Sequence, residues 1–315
     1  MVSVSARLTM LLLRAQKHTL MRRRDNTALM RRLLDLMARA IPMPAKIRCE
    51  QRQLAGVTAD RLINTRVSAR RNRILVYLHG GGYVVGSPAT HRSYAARLGQ
   101  WANAAEIWLP DYRLAPEHPF PAAPEDVLNF WRELTKHNPQ NEYLLAGESA
   151  GGGLSLSLCI SAREQKLRMP ERLYLLSPWL DLTNESKTQV LLNRRDPFLG
   201  RKMLERYFAG PYAANTPRNH PQLSPLFADF CGLPPTLVQV GSREILLDDS
   251  RQFARKATDK GVDVTLEVHG GLWHAWPVFQ TAPESHSAIR RAGKWLANEQ
   301  ASSSVESDVA WRKTG

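Results

Sequence analysis

The sequence predicts an α/β protein with a mostly parallel central sheet covered by helices on both faces. Two observations carry that prediction. From residue 73 onward, short apolar runs of strand length alternate with segments of helical periodicity. Glycine-rich turns stand where two of those runs end, at residues 79–82 and 147–151. A run that is apolar throughout suits a strand buried on both faces, and parallel strands need helical crossovers between them.

The elements read as follows. The first 40 residues look helical, with Met30, Leu33, Leu34, Met37 and Ile41 recurring on one helical face. Pro42 and Pro44 end that segment. Residues 47–54 and 57–65 flank Ala55-Gly56 and read as a hairpin. Strands are expected at 74–78, 105–109, 143–146, 173–176, 237–240 and 264–268. Helices are expected at 91–103, 122–136, 150–162, about 250–260 and 284–298. Residues 183–232 break the rhythm: they carry prolines and a helical piece at 201–208 but no strand. They read as an insertion over the sheet that forms a helical cap together with residues 1–45. The catalytic domain is then 46–299, and the Ser-rich tail 300–315 is expected to be disordered.

Composition narrows the function classes. A chain of 315 residues, 43% hydrophobic and 23% charged, fits a soluble globular protein. Cys49, Cys159 and Cys231 are too few and too scattered for a disulfide framework or a cysteine zinc site. No His, Asp and Cys spacing suits a metal, so neither metal nor cofactor is expected. Leu11–Leu13 lie between Arg7 and Arg14, too short an apolar run for a secretory leader. No stretch approaches the roughly 20 apolar residues of a membrane span, so a cytoplasmic protein is expected. The net charge is +14, and half of it falls in residues 1–40, where nine Lys/Arg face two acids. That segment reads as a solvated helix face that also allows weak contact with an anionic membrane; no nucleic-acid partner is expected.

The first chemical signal is Gly147-Glu148-Ser149-Ala150-Gly151, set between a strand and a helix. In that context a G-x-S-x-G turn raises the serine hydroxyl above the sheet edge, at a helix N-terminus whose free N–H groups favour developing negative charge. A side chain at Gly147 or Gly151 would collide with a neighbouring element. The second signal is His79-Gly80-Gly81-Gly82, directly after the strand 74–78. Successive glycines let backbone N–H groups converge on an oxyanion, and Gly81, Gly82 and Ala150 are the expected donors. A phosphate cradle would want Lys or Ser/Thr next, whereas Tyr83 follows. His79 reads as a structural hydrogen-bonder.

With these two motifs in this order, residues 55–298 resemble the hormone-sensitive-lipase-like esterases of the α/β-hydrolase superfamily. The likeness extends to Asp111–His118, Ser177–Leu182 and Leu233–Asp249. It implies an α/β-hydrolase fold with a helical cap and a carboxylesterase acting on short- to medium-chain acyl esters. Family members commonly carry Asp where this chain has Glu148, and Asp where it has Glu244.

Ser149 needs a base, and the base needs an orienting carboxylate. In this fold the chain order is Ser, acid, His. Of His269, His274 and His286, His274 lies in a glycine-led loop after the last strand and is the expected base. Glu244, thirty residues before it, is the expected acid, with Asp248 as rival; Asp248 and Asp249 otherwise suit the cap of the following helix. Tyr83, Trp179 and Trp273 are candidates for an apolar substrate pocket, although scattered aromatics are more often core. Asp111–His118 reads as a proline-fixed structural loop, and Asp181 as support for the cap hinge. A small-molecule ester is the expected partner, and a homodimer is allowed. The same triad would also serve a lactone hydrolase or an amidase. A non-catalytic ligand receptor on this fold would be expected to lose a triad member.

Overall fold

Ala55 and Gly56 both take left-handed backbone, with φ of 52 and 80. A two-residue hairpin turn requires that conformation. It joins β1 (Ile47–Leu54) to β2 (Val57–Asn64) in antiparallel register, Leu54 opposite Val57. The computed structural model describes residues 2–21, 27–67 and 72–299, so the tail 300–315 lies outside the described residues.

Six further strands follow: β3 (Arg73–Leu78), β4 (Glu106–Pro110), β5 (Glu142–Glu148), β6 (Arg172–Leu176), β7 (Thr236–Gly241) and β8 (Val264–His269). They complete one sheet in the order β1-β2-β4-β3-β5-β6-β7-β8. β2 pairs with β4 antiparallel, and every later pair is parallel. The N-terminal helices are α1 (Val4–Met21) and α2 (Thr27–Arg39), and the crossovers are α3 (Pro88–Trp101), α4 (Ala122–His137) and α5 (Ala150–Glu164). Residues 183–232 hold only short helical pieces among the described residues: α6 (Lys187–Leu191), α7 (Arg201–Leu204) and α8 (Gly210–Ala213), with a π-helical turn at Glu205–Ala209 and a 3-10 turn at Pro225–Phe227. The chain closes with α9 (Leu247–Asp259), α10 (Trp276–Phe279) and α11 (Pro283–Leu296).

The core divides along the two-residue period of the strands. Ile74, Val76 and Leu78 of β3 belong to one cluster, with Phe130 and Trp131 of α4 and Leu154 of α5. Leu75 and Tyr77 belong to the other, with Leu98 of α3 and Ile289 of α11. Both faces of the sheet are therefore covered, as continuous apolar strands require. Helix α3 starts cleanly because Ser87 and Thr90 form a capping box and Pro88 takes the first turn.

The N-terminal segment shares this core. Ala6, Met10 and Leu13 of α1 are buried in the second cluster. Lys17 donates to the carbonyls of Asn193 and Asp196 at 3.3 and 2.9 Å and to that of Leu199, fixing α1 against residues 193–199. α2 behaves differently from its apolar pattern. None of its residues is buried, and Leu33 and Met37, with Ile41 just beyond the helix, face solvent. Polar contacts hold it instead: Arg31 donates to Val84 O, Ala115 O and Glu117, and Asp35 accepts from Ser87 Oγ.

Candidate active site

The C-terminal ends of β5, β6, β7 and β8 lie side by side, with Glu148 beside Leu176 and Gly241 beside His269. Ser149 leaves β5 with φ 54 and ψ −122 and opens α5. Left-handed backbone in a residue with a Cβ is strained, and such strain gathers at functional sites. Here it recurs: Tyr83, Ser177 and Ala275 also have positive φ, and each stands at a strand-end turn of this edge. The elbow is as tight as the two glycines imply. A Cβ on Gly151 would lie 2.1 Å from Leu78 O, and one on Gly147 would lie 2.2 Å from Gly151 O.

The expected acid and base meet directly. His274 Nδ1 lies 2.7 Å from Glu244 Oε2, with both side chains buried. Glu244 Oε1 accepts hydrogen bonds from Gly241 N at 2.6 Å and from Ser177 Oγ at 2.7 Å. Ser177 Oγ in turn accepts from Ala275 N at 3.1 Å, so one hydroxyl ties the acid loop to the residue after the base. Burial alone would push His274 down. The hydrogen bond and charge of Glu244, assisted by Glu148 and Asp196, outweigh it and hold the imidazole above its ordinary value. Because Nδ1 faces a carboxylate, Nε2 is the nitrogen left to act on substrate. Among the described residues, Ser149 Oγ and His274 Nε2 have no hydrogen-bond partner. Catalytic hydrogen bonds commonly tighten only when a ligand binds.

Gly81 and Gly82 turn with φ of 113 and 64. Among the described residues, the N–H groups of Gly81, Gly82 and Ala150, the expected oxyanion donors, donate to no acceptor. Glu148 supports this loop from behind, despite being longer than the Asp usual in the family. Its Oε1 accepts from Gly80 N at 2.7 Å and lies 2.9 Å from His91 Nε2. Burial would raise this carboxyl, but its bonds to His91 and Gly80 and the charge of His274 hold it below the usual range.

The chain matches the family model described as the alpha/beta hydrolase fold over residues 75–278. It is 39% identical over 237 residues to an acetyl-hydrolase of Streptomyces hygroscopicus, covering 73% of this chain and 77% of that one. It is 33% identical to an esterase of Acinetobacter venetianus, covering 82% and 85%. A crystal structure of an esterase from the bacterial hormone-sensitive lipase family superposes with a TM-score of 0.88 at 34% identity, covering 94% of this chain and 98% of that one. The chain belongs to the hormone-sensitive-lipase-like carboxylesterases.

Within this esterase the other candidates separate cleanly. Asp248, the rival acid, accepts from Thr188 N at 3.0 Å and sits on α9 beside α6. Asp249 does not cap α9 either; its buried carboxylate accepts from Leu180 N and Asp181 N. His269 tilts against Trp276, and His286 lies exposed on α11. Buried His79 stacks on Tyr112 and its carbonyl accepts from Tyr112 Oη; desolvation lowers its pKa to about 3, which keeps the ring neutral and structural. Asp181 accepts from Thr183 N and Oγ1 where the chain enters the insertion.

The three aromatic pocket candidates do not form one group. Tyr83 and Trp179 share one core cluster, with Tyr83 stacked on Tyr212 at 3.8 Å, whereas Trp273 is buried in the other cluster against Phe279. The groups that border the triad come instead from the insertion. The Phe198 ring stacks on His274 at 6.0 Å, and a Cβ on Gly82 would lie 2.3 Å from Phe208. Asp196 was equally hidden from sequence reasoning. It is buried, accepts from the N–H groups of Phe198, Leu199 and Ile245, and is pushed by burial to about 6. Its signal was present only as an acid in a polar loop, with nothing to link residue 196 to residue 274. Among the described residues no cluster of His, Cys, Asp and Glu could hold a metal, and no helix is long and apolar enough to cross a membrane.

Proposed function

We propose that this esterase hydrolyses short- to medium-chain acyl esters through an acyl-enzyme on Ser149, with His274 as base, Glu244 as the orienting acid, and Gly81, Gly82 and Ala150 as oxyanion donors. The 2.7 Å contact between His274 Nδ1 and Glu244 Oε2 carries the reading, because it fixes the tautomer that leaves Nε2 free to accept a proton. His274 takes the proton of Ser149 as Oγ attacks the ester carbonyl. The carbonyl oxygen becomes an alkoxide held by the three backbone N–H groups. The alkoxide collapses, the C–O bond to the alcohol breaks, and the alcohol leaves with the proton from His274. Water, deprotonated by the same imidazole, then cleaves the acyl-enzyme and releases the carboxylic acid.

Small substrates are supported by the crowding of the triad. Phe198 packs beside the base and Phe208 beside the oxyanion loop, so the insertion leaves little room for a long acyl chain next to either. We assign residues 1–45 and 183–232 together to the cap; the three Lys17 bonds that join α1 to residues 193–199 support this. A similar esterase structure, 34% identical with a TM-score of 0.85 and covering 95% of this chain and all of the other, was soaked with p-nitrophenyl butyrate. A panel of p-nitrophenyl esters from acetate to palmitate tests the proposal. The expected result is highest kcat/KM on the short and medium members and little on the longest. A preference for palmitate would overturn the assignment of substrate class.

A further inference from the structure

The two N-terminal helices each bury or anchor one side and present an apolar stripe outward. On α1 the buried side is Ala6, Met10 and Leu13, and the exposed stripe includes Leu8, Leu11 and Leu12. On α2 the anchors are Arg31 and Asp35, and the exposed stripe includes Leu33, Leu36 and Met37. These six side chains are between 46% and 66% exposed. Their spacing repeats the helical period, so each set lies along one outward face. None of these six side chains belongs to or packs against either core cluster. Apolar side chains aligned in this way mark an interaction surface.

The charges beside the stripes say what kind. Arg7 and Arg14 on α1 and Arg32 and Arg39 on α2 are exposed and form no ion pair among the described residues. The one acid in the described part of both helices, Asp35, is turned inward to Ser87 Oγ at 2.5 Å. The outward faces are therefore apolar and cationic, without an exposed carboxylate. A second copy of this chain would bring arginine against arginine in a protein of net charge +14. A nucleic acid would use the arginines and leave the leucines in water. An anionic lipid–water interface satisfies both: leucines enter the acyl boundary while arginines meet phosphate headgroups.

We propose that α1 and α2 dock this protein on the surface of anionic phospholipid bilayers, lying along the interface rather than crossing it. The proposal goes beyond the ester-hydrolysis reading and does not depend on turnover.

The test is sedimentation of the full-length protein with phosphatidylcholine–phosphatidylglycerol vesicles, beside vesicles of phosphatidylcholine alone. Three variants accompany the wild type: Leu12→Ser with Leu33→Ser, Arg14→Glu with Arg32→Glu, and Ser149→Ala. The wild type should pellet with the anionic vesicles, less with the neutral ones and less at high salt. The serine pair should lower partitioning about tenfold or more, given the methylene groups removed from the interface. The glutamate pair should lower it on anionic vesicles only. Both should keep wild-type turnover of a soluble ester, and Ser149→Ala should pellet like the wild type. Failure to pellet with anionic vesicles, or equal pelleting of the wild type and the serine pair, would overturn the proposal. So would a solution dimer that the serine pair converts to monomer, because a second copy would then cover the stripes.

Discussion

Replacing Glu244 by glutamine keeps the volume of the side chain and removes its charge. In the native site Oε1 accepts from Gly241 N and Ser177 Oγ while Oε2 faces His274 Nδ1 at 2.7 Å. The amide can keep the first two bonds only by turning its NH2 group toward Nδ1. His274 must then carry its proton on Nε2, where it can no longer take one from Ser149. The opposite orientation sets an NH2 donor against Gly241 N–H in a buried site, which costs at least an unsatisfied polar pair. The change also removes the group that holds the imidazole above its ordinary pKa. Loss of the correct tautomer in a comparable triad costs about 10⁴-fold in kcat, and at about 1.4 kcal/mol per decade that is ~5 kcal/mol of transition-state stabilisation. We expect Glu244→Gln to lose about 10³- to 10⁴-fold in kcat, with KM little changed and the fold intact by circular dichroism. Asp248→Asn should stay near wild type, because its carboxylate serves Thr188 N. Steady-state turnover of p-nitrophenyl butyrate measures both. If Glu244→Gln kept more than about a tenth of wild-type kcat, the acid would have to be another residue.

Three other expectations follow from the same contacts. Ser177→Ala removes the hydroxyl that joins Glu244 to Ala275 N; the loss of hydrogen bonds to a charged group should lower kcat about tenfold or more, with KM nearly constant, and an unchanged kcat would contradict that positioning role. Asp196→Asn removes a negative charge that favours protonated His274; since only neutral His274 can act as base, the acidic limb of the kcat/KM profile should move to lower pH, and a limb that stays or rises would refute the coupling. His79 has its pKa depressed from 6.5 to about 3 by burial, so the unfolded chain binds its proton first and stability falls as pH drops below 6.5. That slope is at most about 1.4 kcal/mol per pH unit. Chemical denaturation of His79→Gln should show a flatter acid slope, and an unaltered one would place the effect elsewhere.

Much of the architecture was legible because it rests on local signals. Ala55-Gly56 predicts the hairpin turn that forms, and continuous apolar runs predict the buried parallel strands. Ser149, Glu244 and His274 could be named as candidates because each lies in a turn that follows a strand. What could not be read depends on which surfaces meet. The periodicity of α2 puts its apolar residues on one face, yet Leu33 and Met37 face solvent while Met30 and Leu34 are half-buried, because anchoring through Arg31 and Asp35 is invisible to a hydropathy pattern. Trp273 adjoins His274 in sequence, yet its side chain turns to the opposite core cluster from Tyr83 and Trp179. Ser177 and Asp196 bear on the triad only through long-range folding, across 67 residues to Glu244 in the first case and 49 to Ile245 in the second.

The central claim is that Ser149 is an activated nucleophile. Incubation with a fluorophosphonate probe, followed by peptide mass spectrometry, measures it directly. The account predicts a single phosphonylated residue, Ser149, formed as ester turnover is lost, with no labelling of the Glu244→Gln variant on the same timescale. Labelling at another serine, or no labelling of a folded protein that still turns over esters, would contradict it.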